Sequence, residues 1–207
     1  MNKALLIVDL QNDFCSGGKL PVPKGDKVIE PLNNYIQIFQ AKGLPIFASR
    51  DWHPEETKHF KDSGGDWPKH CIQHTKGAEF HPSLSLSEST VILSAGMDPE
   101  SEGYSAFEGK SQNGKRFQEV LEEQNIQKLY IGGLATEFCV KHTVLEALKR
   151  GFKVQLLIDA ISGIDSEAAK KAREEMITQG AEKMTLDALS PIRNLPAIKT
   201  GKFQKSR

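Results

Sequence analysis

Short apolar runs of strand length recur along this chain, and most segments between them carry apolar residues at helical spacing. The runs span residues 4–8, 45–49, 91–93, 129–131 and 154–158, with a weaker one over 182–186. The helical spacing covers residues 28–39, 117–121, 138–148 and 168–176. Strands and helices that alternate in this way form right-handed crossovers and a parallel sheet covered on both faces. We therefore predict an α/β fold, a three-layer sandwich whose central, mainly parallel sheet has about six strands flanked by helices.

The stretch from residue 51 to residue 89 interrupts this alternation. It is rich in Pro, Gly, Ser and His, and we predict a long loop region that contains at most a short helix. Loops of this length are usually functional or disordered. The chain of 207 residues suits one domain with a substantial core. We place that domain at 1–190 and a basic C-terminal tail at 191–207, where five basic residues and no acidic ones occur.

Composition excludes some classes of partner. The 27 basic and 27 acidic residues balance, so no global field favours a nucleic acid or a membrane surface. No apolar stretch approaches the ~20 residues of a membrane span, and residues 1–10 do not resemble a signal peptide. We expect a cytoplasmic protein without nucleic-acid or membrane partners. Three widely spaced cysteines do not form a secreted disulfide pattern, so at least one should be a free thiol.

Reactive side chains follow three of the predicted strands. Asp9 follows the first strand, Asp51 and His53 follow the second, and a loop after the fourth leads to Cys139. Ligands of open parallel sheets bind beyond the carboxyl ends of the strands. These side chains are therefore candidates for one shared site.

Histidines cluster in the long loop region, where four of the six lie between residues 53 and 74. Asp51 and His53 are two residues apart, so an extended segment would point both side chains the same way. His70, and as a less certain ligand His59, could complete a shell of imidazole and carboxylate suited to Zn, Fe or Mn. The alternative is a set of surface histidines in a polar loop.

Cys139 stands where a helix is predicted to begin. If Ala135 or Thr136 begins that helix, the thiol lies in its first turn, where the positive end of the helix dipole favours the thiolate. Unpaired backbone N–H groups of the same turn could stabilise an oxyanion. Asp9, on a neighbouring strand end, could accept the thiol proton. The alternatives are a small buried thiol and a carboxylate that caps a loop.

Six motifs, in order, resemble the nicotinamidase branch of the isochorismatase-like cysteine hydrolases. They are VDLQNDFCSGG (8–18), RDWHP (50–54), WPKHC (67–71), GAEFHPSL (77–84), GYSAFEG (103–109) and GGLATEFCV (132–140). The resemblance implies hydrolysis of nicotinamide to nicotinate and ammonia, with pyrazinamide as a second substrate. Isochorismate hydrolases of the superfamily lack the nucleophilic cysteine, and its carbamoyl amidohydrolases lack this Asp-x-His and WPxHC set.

The same resemblance implies roles for individual residues. Cys139 matches the nucleophile and Asp9 the proton-transferring carboxylate. The amides of Ala135 and Cys139 match the oxyanion donors, with a cis peptide between Leu134 and Ala135. The implied metal ligands are Asp51, His53 and His70, with His59 as a less certain fourth. The implied walls of the pocket for the pyridine ring are Phe14, Leu20, Trp67 and Tyr104.

The implied cofactor is one divalent metal ion, with zinc expected and iron or manganese as alternatives. Such an ion would hold the ring nitrogen of a small-molecule pyridine carboxamide directly or through water. A homo-oligomer is compatible with the sequence, which does not determine the oligomeric state.

One position departs from the family pattern. The third catalytic residue of the family is a lysine, and Ala95 occupies its place, directly before Gly96; residues 91–109 contain no lysine. Without the ammonium we expect Asp9 to hold a proton more readily and Cys139 to stay a thiol. The loss of one preorganised electrostatic partner typically costs ~10²- to 10³-fold in rate. Two explanations remain open: an engineered substitution, or a natural chain that is a slow amidase or a catalytically silent pyridine-binding protein.

Overall fold

A seven-stranded sheet forms the centre of the protein in the computed structural model, which describes residues 1–189. The strands are β1 (Asn2–Val8), β2 (Ile46–Asp51), β3 (Val91–Ala95), β4 (Lys110–Ser111), β5 (Ile126–Leu134), β6 (Lys153–Ser162) and β7 (Glu182–Met184). Their order across the sheet is β4-β3-β2-β1-β5-β6-β7. All pairs are parallel except β3 with β4, which is antiparallel. The predicted three-layer α/β fold is confirmed.

Helices cover both faces of the sheet. They are α1 (Ile29–Ala41), α2 (Phe117–Glu123), α3 (Lys141–Lys149) and α4 (Ser166–Thr178). On one face, α1 and several loops pack against Leu5 and Ile7 of β1. On the other face, α2, α3 and α4 pack against Leu6 and Val8. Because both faces are buried, β1 is a continuous apolar run rather than an alternating one.

The strand count of about six was one too low. The missed strand, β4, has only two residues, which are too few to produce a periodic pattern. All four predicted helices are present. The long loop region between β2 and β3 contains two short 3₁₀ turns, Lys61–Ser63 and Lys76–Ala78, and isolated β-bridges but no longer helix or strand, so its interpretation as a loop is confirmed.

The order of the strands reverses between β1 and β5, which makes this the topological switch point of the sheet. From β1 it moves outward to β2 and β3, and it later returns to place β5 on the other side of β1. Ligands of doubly wound sheets bind at such a switch point, beyond the carboxyl ends of the strands. Asp9 follows β1 and Cys139 lies just beyond β5, so both candidate residues are at this point.

The close contact of β1 and β5 at this edge depends on Gly133. Its φ is +131°, and a Cβ built there would lie 2.0 Å from the backbone oxygen of Val8. Replacement by alanine therefore requires backbone movement. We expect Gly133→Ala to lower the free energy of unfolding by about 3 kcal/mol or more in urea titrations.

Gly151→Ala is the matched control. Gly151 also has a positive φ, +87°, but no atom lies within 4 Å of a Cβ added there. We expect a cost of only about 1 kcal/mol there. Equal costs for the two variants would contradict the close-approach interpretation.

None of the helices within residues 1–189 combines the length and apolar composition that a bilayer crossing requires. The predicted basic tail at 191–207 lies outside the described residues, as does residue 190.

Candidate active site

Asp9 turns the chain sharply at the end of β1. Its φ is +49°, in the left-handed region, which aspartate tolerates better than most residues. The carboxylate is buried, and its Oδ1 accepts a hydrogen bond of 2.6 Å from the hydroxyl of Ser49 on β2. A carboxylate oxygen of Asp9 and the sulfur of Cys139 lie within 4.8 Å of each other. The two residues that the sequence predicted as acid–base and nucleophile are therefore side by side.

Cys139 is held by the segment that follows β5. The peptide between Leu134 and Ala135 is cis, as the resemblance implied. A single π-type turn, Thr136–Val140, then leads directly into α3. The thiol thus lies in a wide turn before the α-helix rather than in the first turn of the helix itself. Ala135 stands at the N-terminus of this turn with extended backbone angles.

Burial controls the protonation of both groups. It raises the pKa of Asp9 to about 8, with the charge of Asp51 adding to the shift and the bonds from Ser49 and Cys139 opposing it. Burial also raises the pKa of the Cys139 thiol well above its usual value, and the nearby carboxylates of Asp9 and Asp51 add to that rise. The helix-end effect expected to favour the thiolate is therefore outweighed.

Asp51, His53 and His70 meet beside this pair. Asp51 Oδ2 lies 3.5 Å from His53 Nε2 and 3.6 Å from His70 Nε2. The Nδ1 atoms lie near backbone carbonyls, 3.1 Å from Gly96 for His53 and 2.8 Å from Pro68 for His70. Hydrogen bonds of this kind direct Nε2 toward a metal. Burial would raise the pKa of Asp51, but the two imidazoles overcome this and lower it.

The unsatisfied atoms of this group fit a metal ion. Among the described residues, Asp51 Oδ1 and His53 Nε2 are buried side-chain atoms without a hydrogen-bond partner. The ring nitrogens of His53, His59 and His70 lie within 4.8 Å of one another. Burial lowers the pKa of His59 to about 4, with His53 and His70 adding to the shift, so this imidazole is neutral and able to coordinate. A carboxylate and two or three imidazoles suit a divalent transition metal.

Two side chains that the sequence analysis did not single out fix this group in place. Gln11 is fully buried; its Nε2 donates to the Asp51 carbonyl at 2.7 Å, and its Oε1 accepts from the Asp51 amide at 2.8 Å. Asp13 Oδ2 accepts a hydrogen bond of 2.8 Å from the backbone amide of Cys71, next to His70. Gln11 and Asp13 both belong to the sequence QNDF (11–14). Polar side chains this close to the end of a buried strand are the sequence signal that could have identified them.

An apolar pocket opens onto the thiol and the histidines. All four predicted ring-contacting residues line it, together with Ala135, and its full lining is Phe14, Leu20, Asp51, His59, Trp67, His70, Tyr104, Ala135, Phe138, Cys139 and Ile164. Trp67 Nε1 donates to the Tyr104 hydroxyl at 2.8 Å, which joins two loops across the mouth.

Two pocket residues were missed, Phe138 and Ile164. The helical spacing had assigned Phe138 to a core face, and its ring does pack, partly buried, against both core clusters. It also lines the pocket and meets Trp67 edge-on, with ring centroids 4.9 Å apart.

Ala95 ends β3 and pairs in register with Asp51 of β2. Residues paired in register project to the same face of a sheet, so its methyl group shares a face with Asp51 and Ser49. Lys58, the first of four lysines in the loop region after β2, does not replace the missing ammonium, because it is exposed and pairs with Glu100. Gly96 must lack a side chain, since a Cβ there would lie 2.5 Å from His53 Cε1.

A family model and individual known proteins are similar to this chain over most of its length. The isochorismatase domain family matches residues 3–188. The nicotinamidase of Escherichia coli strain K12 is 37% identical over 205 residues, covering 89% of this chain and 95% of that protein. The nicotinamidase/pyrazinamidase of Mycobacterium tuberculosis H37Rv is 34% identical over 183 residues, covering 87% of this chain and 97% of that protein.

A solved structure is similar over nearly the same range. The pyrazinamidase of Pyrococcus horikoshii, crystallised in complex with zinc, superposes with a TM-score of 0.83 at 46% identity. The match covers 90% of this chain and all of the other chain.

Proposed function

The chain belongs to the isochorismatase family, and from this premise we propose that it is an amidohydrolase that converts nicotinamide to nicotinate and ammonia, with pyrazinamide as a second substrate. The observation that carries the proposal is the pairing of the buried Asp9 carboxylate with the Cys139 thiol, whose reactive atoms lie within 4.8 Å of each other where Cys139 lines an apolar pocket. A buried carboxylate beside a thiol is the arrangement that nucleophilic attack on an amide requires.

In the first half of the reaction Cys139 attacks the amide carbon. Asp9 takes the thiol proton as sulfur forms a bond to that carbon, and the carbonyl oxygen becomes an oxyanion. The backbone N–H groups of Ala135 and Cys139 are the proposed donors to this oxyanion. Asp9 then gives its proton to the amide nitrogen, and ammonia leaves as the carbon–nitrogen bond breaks.

The second half releases the acid. A water molecule attacks the thioester while Asp9 accepts one of its protons, and a second oxyanion forms at the same backbone donors. Its collapse breaks the carbon–sulfur bond, and the sulfur of Cys139 regains a proton from Asp9. The product leaves as nicotinate, with its second proton released to solvent.

The ring is held by apolar walls and by the group of histidines. Phe14, Leu20, Trp67 and Tyr104 contact a flat ring on its faces and edges, since all four line the pocket. Asp51, His53 and His70, with His59, are the residues that would hold a divalent metal ion. Bound there, the ion would act as a Lewis acid that orients the pyridine nitrogen, and zinc is the ion we propose.

We further propose that this chain is slower than family members with the lysine. An Asp9 that retains its proton cannot accept one from Cys139, and burial raises the pKa of both groups. Ala95 contributes no compensating charge beside them. The second candidate function, a catalytically silent protein that binds pyridine carboxamides, is favoured by the same substitution.

Ammonia release distinguishes the two functions. The protein, loaded with one equivalent of zinc, would be incubated with nicotinamide while ammonia is quantified and ligand binding is measured by calorimetry. Steady ammonia release above the protein-free rate supports the amidohydrolase. Binding without release, at high protein concentration and over hours, would identify the silent binder.

The metal-ligand role of His53 predicts a specific loss. We expect His53→Ala to lower the bound metal by one equivalent per chain and to weaken nicotinamide binding by at least about tenfold, because an anchoring imidazole is lost. His74→Ala is the control, since His74 belongs to the same loop region but packs against Trp52 instead of the cluster. Metal content is read by elemental analysis. Unchanged nicotinamide binding by metal-free protein would contradict this role.

A further inference from the structure

A second group of metal-binding side chains lies outside the pyridine pocket. The ligand atoms of Cys15, Asp26 and His81 all lie within 4.8 Å of one another. They come from three segments: the end of the 3₁₀ turn Asn12–Phe14, the turn Gly25–Val28 before α1, and the loop before β3. None of the three lines the pocket. A separate role for them is therefore compatible with the site described above.

We propose that Cys15, Asp26 and His81 form a second site for a divalent metal ion of the zinc class. Zinc takes one sulfur, one nitrogen and one oxygen ligand at about 2.0–2.3 Å, which separates tetrahedral donor atoms by about 3.3–3.7 Å. The three ligand atoms lie within 4.8 Å of one another before any ion binds, so side-chain shifts of about 1 Å bring them to that spacing. A thiolate with an imidazole favours zinc over magnesium or calcium, which prefer oxygen ligands.

The surrounding backbone holds the three side chains together. The segments are joined by an isolated bridge between Gln11 and Phe80 and by the His81 amide, which donates to the Leu10 carbonyl at 2.9 Å. The Ser16 amide donates to Asp26 Oδ1 at 3.2 Å, which orients that carboxylate. Because these contacts exist without the ion, little chain ordering is required when it binds.

The two partly exposed ligands, His81 and Asp26, are not hydrogen-bonded to each other. His81 Nε2 lies 3.9 Å from Asp26 Oδ1, which is too long for a hydrogen bond. The side chains of His81 and Asp26 are 23% and 38% exposed, and they line a surface groove with Asn33 and Gln37. Cys15 is buried beneath them. Cys15 would therefore supply a sulfur ligand from the protein interior, and the solvent side would stay free for a water molecule as the fourth ligand.

Binding would deprotonate Cys15 and change the tautomer of His81. Burial and the neighbouring Asp26 raise the pKa of the Cys15 thiol to about 12, so the thiol keeps its proton until an ion displaces it. The amide of Ser83 lies 3.2 Å from His81 Nδ1 and donates to it. Ligation through Nε2 places the ring hydrogen on Nδ1, so this contact from Ser83 must open. Because Cys15 loses its proton on ligation, metal binding releases a proton and weakens as pH falls.

Cobalt provides a test that is specific for a sulfur ligand. The ligands assigned in the pyridine pocket, Asp51 and the histidines, are oxygen and nitrogen ligands, whereas the second site includes a thiol. Cys139 also lines that pocket, so its thiol is tested separately by Cys139→Ser. We expect the full-length protein titrated with Co²⁺ to develop a near-ultraviolet thiolate-to-cobalt charge-transfer band. The band should be lost in Cys15→Ser and retained in Cys139→Ser and in His53→Ala. No band, or a band that survives Cys15→Ser, would overturn the proposal.

Zinc stoichiometry supplies an independent readout. After equilibration with buffered Zn²⁺, we expect two equivalents per chain in the unaltered protein and one in Cys15→Ser or His81→Gln. Ammonia release from nicotinamide should stay within about twofold, because neither residue touches the pocket. His81→Gln changes a partly exposed side chain, so it tests the site even if Cys15→Ser folds poorly. The same zinc content in the unaltered protein and in His81→Gln would contradict the second site. Because these readouts are metal content and absorption, the proposal does not depend on the proposed function.

Discussion

Replacement of Ala95 by lysine should raise the rate of nicotinamide hydrolysis by at least about tenfold, and by ~10²- to 10³-fold if the ammonium is fully preorganised. Ala95 pairs in register with Asp51 and projects to the same sheet face. The ligand atoms of Asp9, Asp51 and Cys139 lie within 4.8 Å of one another on that side. A positive charge beside them would lower the pKa of both Asp9 and Cys139, which moves Asp9 toward its proton-accepting form.

Ala95→Met separates charge from size. Methionine is a long unbranched side chain like lysine but carries no charge, so we expect it to leave the rate near that of the unaltered chain or below it. Ammonia release is measured for all three proteins at equal zinc loading. Alkylation of Cys139 by iodoacetamide, followed by peptide mapping, should be faster at neutral pH in Ala95→Lys only. A folded, zinc-loaded Ala95→Lys protein with an unchanged rate would show that position 95 does not face the reacting groups.

Removal of the nucleophile should have the largest effect on turnover. We expect Cys139→Ala to reduce ammonia release to the protein-free rate, because no other thiol among residues 1–189 lines the pocket. Loss of an attacking side chain that acts together with its base can cost about 10⁶-fold. Nicotinamide binding should change by no more than about threefold, since the ring walls and the histidine cluster are unaltered.

The design of this test must allow for the low activity expected of the unaltered chain. We would therefore introduce Cys139→Ala both alone and together with Ala95→Lys, where the larger starting rate widens the measurable range. Cys15→Ala is the matched control, because it also removes a buried thiol but lies outside the pocket. Ammonia release that persists in the double variant would exclude Cys139 as the nucleophile and would support direct attack by water.

Local pattern was enough to predict most of the architecture. Strands buried on both faces produce continuous apolar runs, and helices on a sheet produce apolar residues at helical spacing, so β1 and α1 were visible as such. The chemistry of Asp51 and His53 was also readable, because a spacing of two in an extended segment places both side chains on one side. β4 was not readable, because two residues carry no period.

The sequence by itself therefore determined the α/β class, the family and the residue types that reach one edge of the sheet. The tertiary structure alone decided that Asp9 lies beside Cys139, that Gln11 and Asp13 fix the metal-binding group, and that Phe138 lines the pocket. It also brought Cys15 to Asp26 and His81. The physical reason is that periodicity encodes burial over a few neighbouring residues. Hydrogen bonds, desolvation and Coulomb energies depend on distances between strands and loops that are remote along the chain.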